Sequence, residues 1–451
     1  MPPASPPPAS PDSPSPRSPR APLIYNLFPR LAGVMTRWPA HAARARDMGF
    51  DWLYLNPFHY PGFSGSMYAV KDYGRVDPLL LPPDHPDHHY EDTLRGDGGI
   101  GLLGDIVTEI RALGLSPMMD LVVNHTARDA HLVREHPEWY ARDAAGEVKS
   151  PSAIDPADAR NVTVWGDLAE LDHAGSADRE GLWAHLEGLV RRYARLGFRG
   201  FRCDAAYHVP AALWQRLIAA AREEAGEQVL FFAETLGARL EQIDALRPAG
   251  FDFIFNSSKW WDYVEPWCLE QQQAHASLAP SVSFPESHDT PRLWAETGGS
   301  AALQRQRYAF AAAFATGVMM PVGYEYGFSR PLDVAKTRAE DWEEPADDLG
   351  AFVARTHAMK RAHPVLGAET AALRSTPGDP VLLLEKRGDG AAAWIVVNTR
   401  ADAAQAPELP HDILTGSARL LRPFDERDGE MVSPADRLQL GPAEVIYIVG
   451  M

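Results

Sequence analysis

The sequence contains only two cysteines, Cys203 and Cys268, among its 451 residues. Two cysteines are too few for a disulfide framework, and their spacing does not offer the close pairs of a zinc site. We therefore expect a protein of a reducing compartment, the cytoplasm. The chain also lacks an apolar run of the about 18 residues that a membrane span requires, and its first residues lack the apolar segment of a secretory signal.

Basic residues are also in short supply, since 43 Lys and Arg stand against 61 Asp and Glu, for a net charge of -18. Nucleic acids and anionic membranes attract proteins with a basic surface, so neither is expected as a partner. A neutral, polar partner such as a carbohydrate fits this charge better. No pattern in the sequence specifies an oligomeric state.

Three segments of different composition follow one another along the chain. Residues 1–21 are rich in Pro and Ser and almost free of apolar side chains, which predicts a disordered tail. In residues 22–365, short apolar runs alternate with amphipathic helical patterns, the rhythm of βα units around a parallel sheet. Residues 366–451 show short strands separated by turn residues, which predict a small C-terminal antiparallel β-sandwich domain.

Eight strand-like runs within residues 22–365 predict an α/β fold, a closed (β/α)8 TIM barrel. In chain order the runs are PLIYNLF, DWLYLNP, SPMMDLVVN, FRGFRCDA, VLFFAE, FDFIFN, SVSFPES and GVMMPVG. Between the third and the fourth run, about residues 126–180 are dense in loop residues and interrupt this rhythm. We expect an insertion there that carries a functional loop or subdomain.

Four of the eight runs lead into polar segments that stand out, and barrel enzymes place their reactive side chains at the C-terminal ends of the strands. The third run ends in DLVVNH, the fourth in FRCDAAYH, the fifth in FAET and the seventh in FPESHDT. Taken in this order, the four segments resemble the conserved regions of the α-amylase family, glycoside hydrolase family 13. The resemblance covers about residues 23–360 and implies a glycoside hydrolase or glycosyltransferase that acts on α-linked glucans.

The resemblance also implies the catalytic residues. Asp204 matches the nucleophile that forms a covalent glucosyl intermediate, and Arg202, on the same face of the strand, would keep this carboxylate ionised. Glu234 matches the general acid/base, which needs a raised pKa to retain its proton. Asp289 matches the third carboxylate, which favours the oxocarbenium-like transition state. A retaining mechanism requires the carboxyls of Asp204 and Glu234 to lie about 5–5.5 Å apart.

Substrate-binding residues follow from the same resemblance. His125 and His288 match two histidines that donate hydrogen bonds to the sugar ring being cleaved. Tyr68 matches a tyrosine that stacks on the same ring, and Arg202 belongs to this set through its place beside the nucleophile. An α-glucan or a malto-oligosaccharide is therefore the expected substrate.

No cofactor is expected to be required, and the candidates for a metal are weak. Asn124, Glu170 and His208 match positions that bind a structural Ca²⁺ in many members of the family. Glu170 stands where aspartate is common, and the remaining ligand is not present in a clear form. The plainer interpretation is that Asn124 forms a hydrogen bond to the insertion.

The motifs specify how the intermediate forms better than which acceptor takes it. The segment after Glu234 is similar to that of the maltosyl-transferring starch synthases, but Ala205 stands where those enzymes have asparagine. We therefore expect hydrolysis or transglycosylation of α-1,4-glucans. The alternatives are a maltosyltransferase that uses maltose 1-phosphate and an α-1,4-glucan acceptor, and an inactive α-glucan-binding protein, against which the three carboxylates argue.

Overall fold

A computed structural model of the protein describes residues 20–155, 158–276, 278–376, 378–388, 390–410, 413, 418–425, 430–432 and 438–450. Of the predicted tail, residues 1–19 lie outside this description. In the part of the chain that the structure describes, no helix is both long and apolar enough to span a membrane.

The secondary structure alternates between strands and helices as far as α11 and then consists of strands. The strands are β1 (Leu23–Leu27), β2 (Trp52–Leu55), β3 (His59–Pro61), β4 (Val70–Val76), β5 (Ser116–Leu121), β6 (His125–Ala127), β7 (Ser152–Asp155), β8 (Asp158–Val164), β9 (Leu168–Glu170), β10 (Gly200–Cys203), β11 (Leu230–Ala233), β12 (Phe253–Phe255), β13 (Ser281–Ser283), β14 (Gly317–Pro321), β15 (Thr370–Leu373), β16 (Val381–Gly388), β17 (Ala391–Asn398), β18 (Ala418–Leu421), β19 (Glu430–Val432) and β20 (Val445–Gly450). The helices are α1 (Pro29–Ala32), α2 (Trp38–Asp47), α3 (Ile100–Ala112), α4 (His131–Glu135), α5 (Arg179–Leu196), α6 (Ala211–Ala225), α7 (Leu240–Ala245), α8 (Trp267–His275), α9 (Leu293–Glu296), α10 (Ala301–Phe314) and α11 (Gly350–Ala362).

Eight parallel strands close into a barrel in the order β1-β14-β13-β12-β11-β10-β5-β2. Each of them lies within one of the eight runs identified in the sequence, so the predicted (β/α)8 barrel is confirmed. Successive side chains of a strand point to opposite faces, and one set therefore fills the barrel while the other packs against the helices. The buried interior includes Ile24, Met118, Phe232, Phe253, Val282 and Met319.

Helix α5 shows how local sequence determines these outer helices. The Asp178 carboxylate accepts a hydrogen bond from the N–H of Gly181 and caps the first turn. Gly197 ends the helix in a left-handed conformation with φ 118°, which suits a residue without a side chain. Apolar residues recur at the three- and four-residue spacing that lines one face, and they are buried: Leu182, Leu186, Leu189, Val190 and Tyr193.

Two excursions of the chain rise from the C-terminal rim of the barrel. The first follows β2 and contains the β3–β4 hairpin. The second lies between β5 and α5, contains α4 and the β7–β8 hairpin, and begins with β6, which pairs with β9 so that His125 lies opposite Glu170. The insertion that the sequence predicts after the third barrel strand is thus present.

The C-terminal segment forms a six-stranded sheet in the order β15-β16-β17-β20-β18-β19, with antiparallel pairs throughout. One face packs on α10, where the Tyr447 hydroxyl donates to the carbonyl oxygen of Ala309 at 2.7 Å. The opposite face is covered by connecting segments that contribute Ile413, Leu438 and Leu440.

This sheet confirms the predicted small antiparallel β domain. The sequence predicted a β-sandwich, whereas the described residues of this segment form one sheet. A barrel helix and loop side chains cover its two faces, where a sandwich would have a second sheet. The boundary at residues 365 and 366 stays a prediction.

Candidate active site

The two residues predicted as nucleophile and acid/base lie at the ends of neighbouring strands. Asp204 directly follows β10 and Glu234 directly follows β11, and these strands pair in register with Cys203 opposite Ala233. The ladder continues one step further, because the N–H of Glu234 donates to the carbonyl oxygen of Cys203 at 3.1 Å. The parallel pairing therefore places both carboxyls at one edge of the barrel.

A single buried guanidinium, that of Arg202, connects three carboxylates at this edge. Its Nη1 donates to Asp204 Oδ1 at 2.6 Å and to Asp120 Oδ1 at 2.9 Å, and its Nη2 lies 3.9 Å from Glu234 Oε2. Arg202 is only 4% exposed. Because one cation serves several acids in a buried site, at least one of these acids is favoured in its protonated form.

Glu234 is the carboxyl that the site holds protonated near neutral pH. Its burial raises its pKa to about 7, against the opposing effect of Arg202 and with a further increase from the nearby charge of Asp204. Both of its oxygens accept backbone hydrogen bonds, Oε2 from the N–H of Ala205 at 2.8 Å and Oε1 from that of Leu236 at 2.7 Å. Ala205 can donate in this direction because its backbone is left-handed, with φ 41°. A pKa near 7 suits a group that must give and take a proton at neutral pH.

Burial also raises the pKa of Asp204, although Arg202 acts in the opposite direction. The sequence led us to expect that charge pairing with Arg202 would keep this carboxylate ionised. The pairing is present, but the cost of burying the charge is the larger of the two effects.

Tyr68 joins the two histidines that the sequence singles out. Its ring stacks on that of His288 with the planes 6° apart, and its hydroxyl lies 2.6 Å from Nε2 of the same histidine. Its carbonyl oxygen lies 3.1 Å from Nε2 of His125. The Nδ1 atoms of both histidines are buried without a hydrogen-bond partner among the described residues. Each ring therefore has one nitrogen that no described group satisfies.

Asp289 lies on the solvent-exposed side of the group formed by Tyr68, His125 and His288. Its Oδ2 is 3.1 Å from Nε2 of His288, and its side chain is 55% exposed. Together with Arg202, Glu234 and Phe284 it lines a cavity at the end of the barrel. The structure thus brings the predicted catalytic carboxylates and their neighbours to one place.

Three residues of this network were missed by sequence reasoning. The Tyr54 hydroxyl donates to Asp120 Oδ2 at 2.6 Å, beside the hydroxyl of Tyr68, which donates to the same oxygen at 2.7 Å. Asn56 donates from Nδ2 to both tyrosine hydroxyls at 3.2 Å, and its Oδ1 accepts from Asn26 at 2.9 Å. The signal was available, since Asn56 is the polar residue that ends the DWLYLNP run at the catalytic rim of the barrel.

The three weak calcium candidates do not form a metal site. Asn124 has a buried Oδ1 without a hydrogen-bond partner among the described residues, which alone would suit a cation. The Glu170 carboxylate, however, is already paired with the Lys149 ammonium at 2.8 Å, and His208 is exposed. In the described residues no group of three or more His, Cys, Asp or Glu side chains could hold a metal ion. The donor set therefore does not fit Ca²⁺.

Comparisons with known sequences find relatives whose names refer to α-glucan chemistry. Residues 22–157 match the family of the glucanotransferase domain of glycogen debranching enzyme. The chain is 28% identical to the α-1,4-glucan:maltose-1-phosphate maltosyltransferase of Burkholderia pseudomallei, over 87% of this chain and 33% of that protein. It is 26% identical to the protein of the same name from Myxococcus xanthus, over 80% of this chain and 55% of that protein. The chain thus spans between about a third and just over half of the length of these relatives.

Comparisons with solved structures show the fold. An α-amylase from Lactobacillus plantarum matches with a TM-score of 0.73 at 20% identity, over 96% of this chain and 99% of that chain. An α-amylase from Geobacillus thermoleovorans matches with a TM-score of 0.74 at 16% identity, over 96% and 98%. The fold is that of the α-amylases. The predicted resemblance to the α-amylase family, with partial similarity in sequence to maltosyl-transferring enzymes, is confirmed. The prediction of an enzyme of the glycoside hydrolase or glycosyltransferase class agrees with the names of these relatives.

Proposed function

We propose that the protein is a retaining α-glycosidase that acts on α-1,4-linked glucans by hydrolysis or transglycosylation. The observation that carries this proposal is the pairing of Asp204 and Glu234 on adjacent strand ends. Arg202 contacts the first directly and reaches towards the second. In a retaining enzyme one carboxylate attacks the sugar while the other, with a raised pKa, protonates the leaving oxygen.

The reaction proceeds in two displacements. Asp204 forms a bond to the anomeric carbon as the glycosidic C–O bond breaks, and Glu234 transfers its proton to the departing oxygen. In the second step Glu234, now ionised, removes a proton from the acceptor hydroxyl, which attacks the anomeric carbon and releases Asp204. The pKa of Glu234 near 7 suits both roles, because the protonated and the ionised forms are both populated at neutral pH.

The remaining residues hold the sugar ring that is attacked. His125 and His288 are assigned to hydrogen bonds with sugar hydroxyls, and Tyr68 offers its ring beside them. Burial lowers the pKa of His125 to about 4, so this histidine is neutral at pH 7 and can recognise a neutral ligand without adding charge. The exposed Asp289 carboxylate is assigned to stabilising the positive charge that develops on the ring, a role that its negative charge and its place beside His288 support.

A second candidate is maltosyl transfer from maltose 1-phosphate to an α-1,4-glucan. It is favoured by the names of the relatives from Burkholderia pseudomallei and Myxococcus xanthus. Ala205 argues for the first candidate, because a methyl group directly after the nucleophile cannot donate a hydrogen bond to a leaving phosphate. In both candidates Asp204 attacks the anomeric carbon first. They differ in the leaving group, a sugar or a phosphate, and in the acceptor, which is water or a sugar in the first candidate and a glucan in the second.

Product analysis separates the two candidates. We expect amylose and malto-oligosaccharides to be cleaved without inorganic phosphate, and the first products to have the α configuration by NMR. Maltose 1-phosphate should be consumed no faster than maltotriose. Release of inorganic phosphate from maltose 1-phosphate as the dominant reaction would establish the transferase, and first-formed β products would exclude a retaining mechanism altogether.

The pH dependence of turnover follows from Glu234. The first displacement needs this carboxyl protonated, and its pKa is about 7. We expect kcat/KM on maltotriose to fall as the pH rises above about 7, approaching a tenfold loss per pH unit. Initial rates between pH 5 and 9 measure this decline in kcat/KM. A value of kcat/KM that stays constant up to pH 9 would contradict the assignment of Glu234 as the acid.

A further inference from the structure

A second cleft lies outside the active site, between the β3–β4 excursion, helix α4 of the insertion and helix α5. It has a volume of about 680 Å³, within the range of small-molecule binding sites. Its lining shares no residue with the cavity that Glu234 and Asp289 line. It is therefore a separate feature that the proposed reaction does not explain.

Part of the lining of the cleft is apolar, and the side formed by α5 carries small residues. Tyr73, Leu132 and Leu189 contribute the apolar part. Ala184 and Gly188, one helical turn apart, leave the depression on the helix. No atom lies within 4 Å of the place where a side chain at Gly188 would begin, so this position opens into free space.

Two of the three Lys and Arg side chains that line the cleft are paired, and the third has no partner among the described residues. Lys71 is paired with Asp92 at 2.8 Å, and Arg195 is paired with Glu224 at 2.9 Å. The exposed guanidinium of Arg192 makes no hydrogen bond or ion pair within the part of the chain that the structure describes. It therefore remains available as a donor to a ligand in the cleft.

Two carboxylates, Asp72 and Glu135, line the same cleft as Arg192. They would repel a phosphate dianion, whereas they can accept hydrogen bonds from hydroxyl groups. The ligand that suits this lining accepts hydrogen bonds from a guanidinium, donates hydrogen bonds to carboxylates and packs on apolar side chains. A neutral polyol with apolar ring faces does all three. This is the chemistry of a glucose oligomer.

We propose that this cleft binds a malto-oligosaccharide segment of the substrate away from the site of cleavage. The proposal rests on the proposed function, since it assumes a glucan substrate. The cleft is joined to the catalytic rim through Tyr73, whose hydroxyl donates to the carbonyl oxygens of Val122 at 2.8 Å and His125 at 3.3 Å. A long glucan held at the cleft is kept at a high local concentration near the catalytic residues, which lowers KM for polymers and leaves short substrates unaffected.

Gly188 allows the cleft to be filled without disturbing the fold. In Gly188→Phe the new ring enters the open space, while in the matched control Gly188→Ala only a methyl group is added. Both changes remove a glycine from the middle of α5, so neither should lower stability. We expect Gly188→Phe to raise KM for soluble starch about tenfold, the loss of one well-formed binding contact, with kcat/KM for maltotriose unchanged. Gly188→Ala should resemble the unmodified protein with both substrates.

Calorimetric titration with maltoheptaose and with inorganic phosphate tests the class of ligand, with and without Arg192→Ala and in both cases in the Glu234→Gln protein, which is expected to bind the sugar with little turnover. We expect maltoheptaose binding that weakens about tenfold in Arg192→Ala, and no phosphate binding that depends on Arg192. Phosphate binding that Arg192→Ala abolishes would overturn the assignment to a sugar, as would equal starch kinetics in Gly188→Phe and Gly188→Ala. If no variant turns over maltotriose, the proposed function fails, and the titration still decides whether the cleft binds a glucan.

Discussion

Glu234→Gln is expected to lower kcat on malto-oligosaccharides by about 10²- to 10⁴-fold while the variant still binds them. Glutamine keeps the size of the side chain but has no proton to give to the leaving oxygen, and its amide can accept only one of the two backbone hydrogen bonds that the carboxyl accepts. A substrate with an acidic leaving group, such as a nitrophenyl maltoside, needs little protonation and should therefore lose much less in the step that forms the intermediate. Burst kinetics with this substrate measure that step directly.

A stability measurement accompanies this variant. The pKa of Glu234 is raised from 4.5 to about 7 by folding, so its contribution to stability is fully present below pH 4.5 and is lost as the pH rises through 7. Glutamine does not titrate, so the stability of Glu234→Gln should lack the part of the fall between pH 4.5 and 8 that Glu234 causes in the unmodified protein. Glu223→Gln, which changes an exposed glutamate paired with Arg191, serves as the control and should alter neither activity nor this pH dependence. Undiminished turnover of maltotriose in Glu234→Gln would remove Glu234 from the mechanism.

The second large effect is expected from Arg202→Met, through stability as well as activity. Removing this guanidinium leaves Asp120, Asp204 and Glu234 buried without their shared cation. Removing one partner of a buried ion pair costs about 3–5 kcal/mol, and we expect the free energy of unfolding at pH 7 to fall by this amount. Urea unfolding monitored by tryptophan fluorescence gives the value.

The pH dependence identifies the cause of that loss. Without Arg202 the folded-state pKa values of the three carboxyls rise further above their unfolded values, so the folded protein binds more protons and its stability falls as the pH rises. The loss in Arg202→Met should therefore be smaller at pH 5 than at pH 8. Arg216→Met is a control, since that arginine pairs with Glu180 and Glu187 on the outer helices and should cost little at either pH. A loss of the same size at pH 5 and pH 8 would point to packing as the cause.

Much of the fold could be predicted because its strands are almost wholly buried. A parallel barrel strand is covered on both faces, and so it reads as a continuous apolar run such as SPMMDLVVN, which is easy to recognise. The polar residues that end these runs then indicate which end of the barrel carries the candidate active site. Asp204 and Glu234 could be assigned for this reason, since each is the first residue after a barrel strand.

The parts that escaped prediction depend on contacts between distant segments. Tyr54 looks like an ordinary strand residue, and only the closed barrel shows that its hydroxyl meets Asp120, 66 positions further along. The C-terminal strands were recognisable, but their alternation does not say whether a second sheet or helix α10 covers them. The second cleft could not be predicted at all, because an exposed glycine on α5 and a hairpin residue such as Asp72 carry no sequence signal of their proximity.

The pairing of β10 with β11 has a consequence for stereochemistry. Residues at matched positions on hydrogen-bonded strands start about 4.8 Å apart, and this spacing is a property of the backbone that substitutions elsewhere cannot alter. If Asp204 and Glu234 act as proposed, backbones this close favour the short carboxyl separation of a retaining enzyme over the wider separation that leaves room for a water molecule in an inverting one. Exchange of rim loops would then change the acceptor of the glucosyl group, while the anomeric outcome would follow from strand order.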